Sequence, residues 1–164
     1  MCLIAKKNSR KIADKDIRVY KIVRLCDEQP DVWSGPIYSE NKFAFVERID
    51  GNPEDESSMP SPMNNEDVML TSGFFYSFES MTDAIRSFTS LTPKKPWPNG
   101  VSYKLCTATI PAGSTYYCSI RGVMDIGRSI ASSSIIVDKP ASEPSFAEAI
   151  KQDFIHLPSS LSCV

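Results

Sequence analysis

The sequence predicts an α+β domain, mainly an antiparallel sheet of about five to seven strands with two helices. Three observations predict it. Short runs rich in β-branched and aromatic residues recur along the chain, such as Ile17-Arg-Val-Tyr-Lys-Ile-Val-Arg-Leu25. Two capping-box patterns, Ser80-x-x-Asp83 and Ser145-x-x-Glu148, each open a stretch with apolar residues at helical spacing. The length of 164 residues suits a single domain, since such a chain buries roughly 70% of the surface its unfolded form exposes.

Taken in order, residues 1–16 read as a basic N-terminal arm. Residues 17–25 read as a strand with Ile17, Val19, Val23 and Leu25 on one face, interrupted by Lys21. A lysine there must reach the sheet edge, pair with an acid, or line a cleft. Pro30, Gly35 and Pro36 make 27–41 a loop or short strand, and Lys42–Ile49 is the next strand. Residues 50–67 carry three prolines, many acids and few apolar side chains. Too little burial is available there to offset ordering entropy, so a mobile acidic loop is expected.

Val68–Phe78 is strand-like and broken by Gly73. A helix follows, with Ser80 as N-cap and Met81, Ala84, Ile85, Phe88 and Leu91 facing the core. The Pro-rich segment 93–100 ends it as a loop. Val101–Ile110 is a strand, and Pro111-Ala-Gly113 suits a type I turn with Pro second and Gly fourth. Thr115–Ile120 is then expected to return as the second arm of a hairpin. Ser133–Val137 is a last strand, entered through the serine run 129–134, whose hydroxyls are expected to satisfy backbone groups. Phe146, Ala149, Ile150 and Phe154 form one face of the terminal helix, and residues 158–164 a flexible C-terminus.

The net charge of −2 hides an asymmetry: residues 1–26 carry +6, residues 27–70 carry −9, and the remainder +1. Lys6, Lys7, Arg10 and Lys11 could contact an acidic partner, or could neutralise the acidic segment of the same chain. An overall acidic chain is repelled by a phosphate backbone, which argues against nucleic acid. No run approaches the roughly 18 apolar residues of a membrane span, and the N-terminus lacks a signal-peptide pattern. The five cysteines are odd in number and none has C-x-x-C spacing. Neither a disulfide framework nor a zinc site is expected, and the chain reads as made for a reducing cytoplasm, with Cys106 and Cys118 as small buried hydrophobes.

Catalytic chemistry finds few candidates. The one histidine, His156, ends the terminal helix, where it complements the helix dipole. Cys2 would become an N-terminal nucleophile if Met1 were removed. No phosphate-cradling glycine motif or metal-ligand set occurs, so no cofactor and no metal are expected.

Three blocks, Arg18-Val-Tyr20-Lys21-Ile-Val, Gly73-Phe74-Phe75-Tyr76-Ser77-Phe78 with Ser80, and Ile110-Pro-Ala-Gly-Ser-x-Tyr116, resemble in order those of ADP-ribosyltransferase-like folds. They also resemble a set of small proteins from gut bacteria and their phages with a Gly-Phe-His block before a helix. The resemblance implies a ligand cleft formed by Tyr20, Lys21, Phe74, Phe75, Ser77, Ser80 and Thr107. The family's arginine position falls on Lys21, its catalytic glutamate position near Thr107, and the histidine of the second set on Phe75. A lysine loses the bidentate fork for phosphate, and a threonine cannot supply the glutamate's charge. The resemblance therefore implies a fold kept without its chemistry.

The function expected is that of a small cytoplasmic, non-catalytic binding protein, of the accessory kind that phages or mobile elements encode, acting through protein–protein contacts. The alternative is an ADP-ribosyltransferase-like enzyme or nucleotide-binding protein with a degenerate active site.

Overall fold

The computed structural model describes residues 3–26, 29–32, 41–42, 45–51, 57–60, 65–91, 101–120 and 128–139. These form β1 (Leu3–Lys6), β2 (Lys11–Ile12), β3 (Ile17–Cys26), β4 (Gln29–Val32), β5 (Asn41–Lys42), β6 (Arg48–Asp50) and β7 (Ser57–Pro60). There follow β8 (Asp67–Ser72), β9 (Phe75–Phe78), α1 (Met81–Leu91), β10 (Val101–Ile110), β11 (Thr115–Cys118), β12 (Ser129–Ser132) and β13 (Ser134–Val137).

The expected α+β class is therefore corrected: the fold is mostly β, with one helix and thirteen strands among the described residues. The expected terminal helix lies outside those residues, as do Cys2, the Pro-rich segment, His156 and the C-terminus 158–164. The extra strands come from polar stretches with weak propensity of their own. Long-range pairing supplies their backbone groups with partners, and that overrides local preference. The basic N-terminal stretch illustrates this, since it supplies two strands: β1 pairs β8 and β2 pairs β11. Likewise the acidic segment expected as a loop supplies β7, which pairs β8.

A small sheet runs β1-β8-β7. A ten-stranded sheet runs β2-β11-β12-β9-β3-β10-β13-β6, with β4 also on β3 and β5 on β4. Its spine is the full-length antiparallel pairing of β3 with β10, from Ile17↔Ile110 to Cys26↔Val101. Only Ser133 separates β12 from β13, yet β9, β3 and β10 lie between them in the sheet. The sheet must curl for one chain segment to serve both places, and Ser133 is the corner. Its N–H donates to Thr115 O at 2.8 Å, and its carbonyl accepts from Gly51 N at 2.7 Å.

Two turns differ from expectation. Ser114 N donates to Pro111 O at 3.1 Å, and Gly113 holds φ 84°. Pro111 is thus the first residue of the turn and Gly113 the third, the position where a type II turn needs positive φ. The chain then leaves β10 altogether: β11 pairs β12 and β2, not β10, so no hairpin forms. The expected strand 42–49 is also split. Val46 takes φ 71°, which a β-branched residue adopts only under strain, while its N–H is held by Val137 O at 2.8 Å. Among the described residues of that stretch, only those of β5 and β6 are strands.

Two apolar clusters fill the structure. One, inside the curl, includes Val19, Val23, Phe75, Ala108, Ile130 and Ile135. The other joins the small sheet to the large one through Leu3, Leu70, Phe74, Tyr76, Tyr117 and Ala131. Neighbouring Phe74 and Phe75 thus serve different clusters, and every residue of β9 is buried. A strand covered on both faces reads as a continuous apolar run, which is why 74–78 is so aromatic.

Candidate functional site

Strands β3, β9 and β10 bring together most residues the sequence singles out. Tyr20 is paired with Phe78 on β9 and with Thr107 on β10. The next residue, Lys21, lies opposite Cys106. Lys21 is fully buried, and its Nζ donates to the Tyr76 carbonyl oxygen at 2.8 Å. Ser77, also fully buried, donates to Ile130 O at 3.4 Å.

Burial controls the electrostatics here. It pushes Lys21 down to about 7, with Cys106 partly opposing, because an ammonium loses its hydration inside the core. The same burial pushes the Cys106 thiol up to about 12, and Asp138 adds to the effect. A neutral amine is a nucleophile. Lys21 and Cys106 nevertheless sit among packed side chains, Cys106 being only 2% exposed.

The remaining ligand candidates have visible structural partners. Phe74 meets Tyr117 edge to face, with centroids 5.5 Å apart. Ser80 caps α1, accepting from Asp83 N at 3.1 Å. Asp83 does not close a reciprocal box. Its carboxylate accepts from Arg128 N at 3.3 Å and lies 3.9 Å from Arg86. Thr107 donates to Asp138 Oδ2 at 2.6 Å, and Arg18 stands 3.8 Å from the same oxygen.

The cationic residues occupy the surface of the two N-terminal strands. Lys6 pairs Asp67 at 2.9 Å and Glu66 at 3.9 Å, and the Asp67 hydrogen bond holds its ammonium above the usual range. The acidic segment thereby neutralises part of the basic one. Lys7 is exposed beside the same strand pair, with its N–H on Glu66 O. Arg10 reaches Thr115 Oγ1 at 3.5 Å, and Lys11 lies in β2 opposite Tyr116. Beside them Ile12 is 70% exposed.

Three features escaped sequence reasoning. Asp50 accepts from Arg48 at 2.8 Å and from the buried Ser134 hydroxyl at 2.5 Å, and the two hydrogen bonds lower its pKa. Glu79 has a buried Oε2 with no hydrogen-bond partner, and desolvation raises its pKa, with Arg128 and Lys11 opposing. Ser134 lies far from Asp50 in sequence, and Arg128 and Lys11 far from Glu79, so no local spacing announces these two environments. The third is that Cys118 is disulfide-bonded, whereas Cys106 is free. The expectation that Cys118 is a small buried hydrophobe is corrected, and the cysteine argument for a reducing compartment falls with it.

Among the described residues no group of three or more His, Cys, Asp or Glu could hold a metal ion. No helix among them is long and apolar enough to cross a membrane. No family model, curated protein or solved structure matches the chain.

Proposed function

We propose that this chain is a non-catalytic binding protein that works through protein–protein contacts at its N-terminal cationic edge. One observation carries the reading: Ile12, 70% exposed, lies on a strand at the end of the large sheet, in a stretch that carries Arg10, Lys11 and Lys15 against Asp14 and Asp16. A large apolar side chain held among charged residues on an ordered edge is a recognition feature that a free tail would lack. Anchoring also lowers the ordering entropy of binding.

The test is a triple charge reversal, Lys7→Glu, Arg10→Glu and Lys15→Glu, compared with the unaltered chain immobilised against extract of its native host. Proteins retained by the unaltered chain should elute as salt rises and be missing from the variant. Equal retention by a folded variant refutes the reading.

A nucleotide-binding role is the second reading, and it rests on the resemblance of the Tyr20-Lys21 and Phe74–Ser77 blocks to ADP-ribosyltransferase-like folds. It predicts a raised melting temperature with NAD or ADP-ribose. No shift at millimolar ligand removes it.

A further inference from the structure

We propose that the outer edge of β2 docks a second copy of this chain, the two β2 strands pairing antiparallel about a two-fold axis at Ile12. The proposal rests on the reading of this edge as a contact surface and names its occupant.

Burial alternates from Arg10 to Asp14: Arg10, Ile12 and Asp14 are exposed, Lys11 is half-buried and Ala13 is buried. That is the period of an extended strand, bounded by the turn at 7–8 and the bend at 14–15, with Arg10, Ile12 and Asp14 on one face. Ala13 N donates to Ser114 O at 2.9 Å and its carbonyl accepts from Gly113 N at 2.7 Å, so both backbone groups of Ala13 turn toward β11. Thr115, opposite Ile12, gives its N–H to the Ser133 hydroxyl, and its carbonyl accepts from Ser133 N. Ile12↔Thr115 is therefore a pair without mutual hydrogen bonds, and the N–H and C=O of Ile12 point outward from the sheet. Among the described residues no strand lies beyond β2, so this donor and acceptor stand on an open edge.

The order of the charges selects the occupant. The stretch carries Arg10, Lys11 and Lys15 against Asp14 and Asp16, so it is nearly balanced and favours neither an acidic nor a basic strand. Arg10 and Asp14, however, stand at equal distances on either side of Ile12. A two-fold antiparallel pairing centred on Ile12 sets Ile12 against Ile12 of the second copy, and each Arg10 against the other copy's Asp14. Lys11 then faces Ala13, so no like charges meet from 10 to 14. The pairing covers a side chain now 70% exposed. Sliding the strands to the next register sets Ile12 against Arg10 or Asp14 instead, so the pattern fixes one register. Arg10 already reaches Thr115 Oγ1 at 3.5 Å, which steadies a side chain whose planar fork can also take a carboxylate. Asp16 lies past the bend and accepts from Ala112 N at 2.9 Å.

The edge is short, so association is weak and depends on concentration. Sedimentation equilibrium of the full chain from about 10 μM to about 1 mM should show a monomer–dimer equilibrium. Arg10→Asp and Asp14→Arg, measured separately, each set like charges across the axis on both sides and should weaken the dimer about tenfold or more. Mixed in equal amounts, the two variants meet as opposites and should associate again, a restoration that damage to the fold does not produce. Hydrogen exchange needs no variant: the Ile12 amide should gain protection as the unaltered chain is concentrated. A chain still monomeric at about 1 mM overturns the proposal. So does a dimer that neither charge reversal weakens, a mixture of folded variants that stays monomeric, or an Ile12 amide left unprotected in the dimer. A monomer that retains a host protein in the preceding experiment gives the edge to a different partner and ends the proposal alone. A dimer that retains no host protein keeps the self-pairing while the host-binding reading fails.

Discussion

The Lys21 Nζ lies 2.8 Å from the Tyr76 carbonyl oxygen, wholly inside the protein. A lysine from β3, on the face that Val19 and Val23 give to the cluster inside the curl, is thus tied to the backbone of β9. Such a contact holds the ammonium without neutralising its charge, so the fold favours the unprotonated amine.

A pH dependence follows from two opposed groups. The Lys21 pKa falls from 10.5 in the unfolded chain to about 7 in the fold. Between those values the unfolded state holds a proton that the native state lacks, so stability rises with pH. The Cys106 pKa moves the other way, from 9.0 to about 12, so above pH 9 the unfolded state loses a proton the native state keeps. Urea unfolding should show stability rising by about 2–3 kcal/mol from pH 7 to pH 9, then levelling. Lys21→Met should remove the rise. An unchanged slope in that variant would show that another group titrates there.

Gly51 sits where a side chain has no room. A Cβ at Gly51 would run into the Gly73 carbonyl oxygen and approach Ser133 O at 3.2 Å. Gly51→Ala should destabilise the chain by about 1–3 kcal/mol in denaturant unfolding, because backbone must shift at the corner of the curl.

Gly113 offers a contrast, since a Cβ there meets nothing within 4 Å although φ is +84°. Gly113→Ala should lose only about 1 kcal/mol, from conformation alone. Equal losses at Gly51 and Gly113 would contradict the crowding at Gly51.

The Ser80 hydroxyl satisfies one orphan N–H at the start of α1. Ser80→Ala should destabilise by about 1 kcal/mol, and Ser80→Asp should largely restore stability. Thermal unfolding followed by circular dichroism measures both.

Ser134 donates to Asp50 while accepting from Arg48 Nη2 at 3.2 Å. Ser134→Ala should destabilise by about 1 kcal/mol and raise the Asp50 pKa, which a carboxylate NMR titration would show. Asp50 has its pKa lowered in the fold. Stability it supplies is therefore present above its unfolded pKa and lost as pH falls through its folded one. Exposure of its side chain keeps that contribution small.

Local pattern determined much of this protein. The β-branched run 17–25 made β3, Ser80 marked the start of α1, and Gly73 marked the break between β8 and β9. These features depend on neighbours in the chain, whose spacing and propensity are written in sequence order. What only tertiary structure decided was partnership. It took β11 away from β10, made β1 and β2 from a basic stretch, and enclosed Lys21 against Tyr76 O. It also bonded Cys118 and left the Ile12 side chain exposed. Each outcome depends on which distant strands meet, and hydrogen-bond ladders reward that meeting without leaving a periodic trace in either strand.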